Sequence, residues 1–124
     1  MKHRPMRTCL AAAALGGLLW AQQVLAHTFP ERAEPRVGAV IDSSPSQVRI
    51  WFDGQIEPAF STLRVLDGQG RQVNQEAGQV DPAQPRLLEA RLPPLSPGAY
   101  HVFWRVIARD GHVTEGDYVF TVRR

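Results

Sequence analysis

Beyond residue 9 the sequence has no sulfur: the only cysteine is Cys9, and the two methionines are Met1 and Met6. Lys2 is the only lysine, and no acidic residue precedes Glu31. These absences exclude a disulfide framework, a thiolate nucleophile and a zinc knuckle from the bulk of the chain. They also exclude a soft thioether or thiolate metal site and lysine Schiff-base chemistry there. The one long apolar run, Cys9 to Ala21, has 13 residues, short of the roughly 20 that a spanning helix needs. Ten glycines and ten prolines are scattered without a period, so nothing collagen-like or low-complexity is present.

The first 26 residues read as a secretory signal. Lys2, Arg4 and Arg7 form a charged opening, Cys9–Ala21 the apolar centre, and Val24-Leu25-Ala26 a small-residue cleavage site. Arg7-Thr8 before Cys9 is not a lipobox. Cleavage after Ala26 leaves 98 residues, His27 to Arg124, as one domain. The three removed cations are among fourteen, and all twelve acids remain, so the formal charge falls from +2 to −1. The basic balance belongs to the export signal, and nucleic acid is excluded as a partner.

The remaining chain alternates with period two. Val48, Ile50 and Phe52 face one way within Ser46–Asp53, with Arg49 and Trp51 opposite. Thr62–Leu66 is a second strand, closed by Asp67-Gly68-Gln69-Gly70, from which Arg71–Asn74 can return as a hairpin partner. Arg86–Leu92 ends at Pro93-Pro94. Ala99–Ala108 puts Tyr100, Val102, Trp104 and Val106 on one face, and Asp117–Val122 alternates again. No helical period appears after Ala26, and prolines recur too often for helices. Short strands between Gly/Pro turns predict an antiparallel sandwich or Greek-key barrel.

Three histidines follow the signal. His27 becomes the first residue after cleavage, where its α-amine and imidazole Nδ1 can close a chelate ring on one metal. An α-amine has a pKa of about 7.7–8.0, so its deprotonation costs little. Arg109-Asp110-Gly111-His112 lies between the two clearest strands. Asp110 and His112 are two apart and point the same way on an extended segment, while Gly111 permits a tight bend. Asp-Gly is also an ordinary hairpin turn. His101 alternates with Tyr100 and Val102 and reads as a strand-surface residue. Taken together, His27, Asp110 and His112 offer three nitrogens and one oxygen. That donor set suits Cu(II) in a tetragonal arrangement, with tetrahedral zinc as the chemical alternative.

These residues resemble the CopC family of periplasmic copper-binding proteins over nearly the whole chain after the signal. The similarity lies in the leading His27-Thr28-Phe29, in Ala33–Ile41 with its Pro35 and Gly38, and in Pro45–Phe52. It is most specific in Gly98-Ala99-Tyr100 through Trp104-Arg105 and Asp110-Gly111-His112 to the last strand. The resemblance implies a seven-stranded Greek-key β-sandwich or barrel, Ig-like or cupredoxin-like. It also implies one Cu(II) per chain, held by His27 (amine and Nδ1), Asp110 and His112. Some family members carry a Glu near the copper where this chain has Gly54; Asp53 and Glu57 flank that position and are not assigned as ligands. The Met-rich Cu(I) loop of other members has no counterpart, and Ala108 replaces their usual Ser. The implied role is a periplasmic, monomeric copper carrier or buffer without enzymatic turnover, handing copper to an inner-membrane transporter. Two alternatives remain at this point: a copper monooxygenase built on a histidine brace, and a metal-free Ig-like module.

Overall fold

The computed structural model describes residues 2–3 and 28–123; most of the expected signal, its expected cleavage site and His27 lie outside the described residues. Eight strands form two four-stranded sheets. They are β1 (Pro30–Glu34), β2 (Val40–Ile41), β3 (Gln47–Phe52), β4 (Thr62–Leu66), β5 (Gln79–Asp81), β6 (Gln84–Arg91), β7 (Gly98–Ile107) and β8 (Val113–Val122). One sheet has the order β1-β3-β6-β5 and the other β2-β8-β7-β4. All pairings are antiparallel except β2 with β8. The all-β sandwich expected from the alternation is the observed architecture. It has one strand more than the family resemblance implies, and its shortest members are the two-residue β2 and the three-residue β5.

The period-two pattern sets which side of each sheet is dry. Val48, Ile50 and Phe52 of β3 meet Leu63 and Val65 of β4, Leu88 and Ala90 of β6, and Val102, Trp104 and Val106 of β7 in one buried cluster. Tyr118, Phe120 and Val122 of β8 complete it. Two aromatic contacts organise this core. Phe52 meets Trp104 edge-on across the sheets, with centroids 5.3 Å apart, and Tyr100 stacks on Phe120 at 5.6 Å. On the outer face of the first sheet the guanidinium of Arg32 lies 3.7 Å from the Trp51 ring centroid and that of Arg49 4.7 Å, which shields an aromatic that the alternation leaves outside.

Trp104 fits because its partner across the ladder is Gly116. A Cβ at Gly116 would stand 2.5 Å from Trp104 Cζ2 and 2.9 Å from Cε2. Gly116→Ala must therefore move the indole, and with it the Phe52 contact. The expected result is a loss of roughly 1–3 kcal/mol, the usual cost of overpacking a dense core, measured by urea denaturation of the purified protein.

The strand ends at one pole of the sandwich define where a site can form. β1 runs antiparallel to β3, with Pro30 opposite Phe52, so Thr28–Phe29 lie beside Asp53–Gly54. The loop after β3 crosses to the other sheet through the Ile56–Ala108 bridge and through Glu57 N–H, which donates to Ile107 O at 2.7 Å. The β7–β8 hairpin turns at this same pole.

Candidate metal centre

The β7–β8 turn is a three-residue hairpin loop. Gly111 N–H donates to Ala108 O at 2.9 Å, and Ala108 N–H donates to His112 O at 2.8 Å. Gly111 has a φ of 89°, a conformation that glycine takes without steric cost. The Asp-Gly turn signal and the placement of Asp110 and His112 on one loop are thus two aspects of one geometry.

The loop brings the two side chains together. Asp110 Oδ1 accepts from the His112 backbone N–H at 3.0 Å, and Asp110 Oδ2 lies 2.9 Å from His112 Nδ1. That separation is close to the span of about 2.8–3.0 Å between adjacent ligands at right angles on a metal with bonds of about 2.0–2.1 Å. The backbone N–H of His112 and then its side chain hold the Asp110 carboxyl below the usual carboxylate range. Both side chains remain 42% exposed, so the pair is open to an incoming ion. Among the described residues no group of three or more His, Cys, Asp or Glu gathers as a metal cage; Asp110 and His112 stand as a two-donor pair.

The start of the described chain reaches the same place. A cleft of about 290 Å³ is lined by Thr28, Gly54, Gln55, Ala108, Arg109 and Asp110. Thr28 is 4% exposed, and its carbonyl accepts from Thr114 Oγ1 at 2.7 Å. Phe29 N–H donates to Asp53 Oδ1 at 2.8 Å, while Asp53 N–H donates to Phe29 O at 2.9 Å. Asp53 therefore serves the backbone of the N-terminal segment. Sequence reading missed the roles of Thr28, Thr114 and Gly54. Thr28 and Thr114 meet across 86 residues, and no local pattern announces such a contact.

His101 is elsewhere. Its Nε2 pairs with Asp117 Oδ2 and its ring lies tilted against Phe103, with centroids 4.1 Å apart. It lies on the outer face of β7, six residues before the strand's end at Ile107, which at about 3.3 Å per residue is roughly 20 Å from the hairpin turn.

Residues 31–123 match the family model of the CopC domain, three quarters of the chain. The chain belongs to the CopC family. The crystal structure of CopC from Methylosinus trichosporium OB3b is 38% identical and superposes with a TM-score of 0.73, covering 77% of this chain and 93% of that one. PcoC, described as a methionine-rich copper resistance protein from Escherichia coli, is 26% identical with a TM-score of 0.66, covering 79% of this chain and all of the other. Protein YobA of E. coli K12 is 27% identical over 106 residues, 85% of this chain and 82% of its own. Against this family background the sulfur-free sequence beyond residue 9 sets the chain apart from methionine-rich PcoC.

Proposed function

We propose that this protein is a periplasmic Cu(II) carrier or buffer in copper resistance or homeostasis, holding one ion between its mature N-terminus and the β7–β8 loop. The ligands are the His27 amine and Nδ1, Asp110 and His112. His27 lies outside the described residues, and the observation that carries its assignment is the position of its neighbour. Thr28 lines the same cleft as Asp110, and consecutive Cα atoms are 3.8 Å apart across a trans peptide. Three nitrogens and one carboxylate suit Cu(II), and the lack of sulfur disfavours Cu(I). Membership of a family that includes the copper resistance protein PcoC supports copper as the cargo. The protein acts by capture and release rather than turnover, as a monomer, and an inner-membrane copper transporter is the acceptor. Titration with Cu(II), and separately with Cu(I) under a competing chelator, tests this. One tight Cu(II) and only weak Cu(I) binding are expected; tight Cu(I) binding would contradict the reading.

Copper is expected to leave on mild acidification while the fold persists. Nitrogen ligands must be deprotonated to bind, and imidazoles and α-amines ordinarily titrate at about 6.5 and 7.7–8.0. Copper lowers both apparent values, so release begins below neutrality. Asp110, its carboxyl held low by the His112 N–H and side chain, stays ionised through that window. A lowered carboxylate contributes stability that is present at neutral pH and is lost only as pH falls through its own depressed value. Asp110 is also exposed, so its share of fold stability is small. A pH titration followed by copper EPR and far-UV circular dichroism should show the metal signal vanish first. Coincident loss would mean that the metal holds the fold together.

A further inference from the structure

We propose that Asp53 and Thr114 form a clamp that positions the mature N-terminus for copper, and that Gly54 leaves room for the Thr28 side chain beside it. This deepens the assignment of His27 as a ligand and rests on it. Chain termini ordinarily fray unless they are tied down. Here, immediately after His27, Thr28 is 4% exposed, and three hydrogen bonds hold two consecutive residues. They run from Thr114 Oγ1 to Thr28 O, from Phe29 N to Asp53 Oδ1, and from Asp53 N to Phe29 O, at 2.7, 2.8 and 2.9 Å.

The clamp's two side chains come from the two different sheets. Asp53 directly follows β3, and Thr114 is the second residue of β8. Thr114 is also two residues beyond His112, so one short segment carries both a proposed ligand and the anchor for the terminus. Gly54 completes the arrangement. A Cβ there would stand 3.0 Å from Thr28 Oγ1, tighter than ordinary van der Waals contact, so a larger residue would press on Thr28. The clamp thus orders the terminus before copper arrives, which lowers the conformational entropy that binding must remove.

The test uses the mature protein with Thr114→Val, Asp53→Ala and both together, with Thr114→Ser as the conservative control. Each is loaded with Cu(II), and its affinity and copper release to a chelator are measured beside the melting temperature of the metal-free form. Each lost side-chain bond is expected to weaken Cu(II) binding about 3- to 10-fold, the double variant more, mainly through faster release. Thr114→Ser should restore wild-type values because its hydroxyl can still reach Thr28 O. A purely structural role would lower the melting temperature and leave affinity and release rate unchanged; that result would overturn the clamp while the copper reading stood. Failure of the wild-type protein to bind Cu(II) would overturn both.

Discussion

His112→Ala is expected to weaken Cu(II) binding a hundredfold or more, and His101→Ala to leave it within about twofold. Loss of one ligand from a four-donor site removes several kcal/mol of metal affinity, and each 1.4 kcal/mol is tenfold. His112 sits on the hairpin turn, 2.9 Å from the Asp110 carboxylate and at the same pole as Thr28. His101 has the same side-chain chemistry and its own carboxylate, Asp117. Its place on the outer face of β7 puts it out of reach of the β7–β8 loop. The pair of substitutions therefore separates location from composition. Competition titrations against a chelator of known affinity measure both, and equal effects would show that the metal is not held at the β7–β8 loop.

Asn74→Ala should destabilise the domain by roughly 3–5 kcal/mol, because each buried group left unpaired costs about 1–3 kcal/mol. β4 is the last strand of its sheet, the segment that follows its turn bonds it through backbone at Val73 and Ala77, and Asn74, 2% exposed, fills the gap between those contacts. Its Oδ1 accepts from Val65 N–H at 2.8 Å, and its Nδ2 donates to Leu63 O at 2.9 Å and to Glu76 O at 2.6 Å. One amide thus meets both the donor and the acceptor that a paired strand would meet. Alanine leaves them facing a dry interior. Against a total stability of about 5–15 kcal/mol, the loss is large. Equilibrium denaturation should show the midpoint fall sharply, with Asn74→Asp also destabilised because a carboxylate cannot donate to Leu63 O.

Asn74 also marks a boundary of what the sequence makes legible. Arg71–Asn74 was expected to return as a hairpin strand. The chain does come back, with a Leu66–Gln72 bridge and Val73 N–H donating to Val65 O at 2.8 Å. Between that point and Ala77, whose carbonyl accepts from Leu63 N–H at 2.6 Å, a side chain takes over from the backbone, which no hydrophobic pattern encodes. The long strands β3 and β7 were readable because one face of each is buried against the opposite sheet, which enforces alternation; β6 keeps that pattern from Leu88 to Ala90, although Leu87 is buried as well. The alternation marks β8 only from Asp117; its earlier half carries small and polar residues, among them Thr114, which bonds Thr28 O, and Gly116, which leaves room for Trp104. β1 was missed because it is an edge strand with four of its five residues exposed, so burial imposes no period. At the site, Asp110 and His112 were legible as neighbours because two residues and a glycine fix their geometry locally. Thr28, Thr114 and Gly54 were not, since their roles arise only when the β3 end, the N-terminal segment and β8 are folded against one another.

The N-terminal amine is the least common element of the proposed site and the most direct one to test. The measurement is Cu(II) EPR at one equivalent on two forms of the protein, one beginning at His27 and one carrying a single additional residue before it. The extra residue converts the amine to an amide and leaves every side chain in place. A nitrogen-rich tetragonal spectrum and tight binding are expected for the first form, with a changed spectrum and a large loss of affinity for the second. Identical spectra and affinities in the two forms would contradict the amine's role as a ligand.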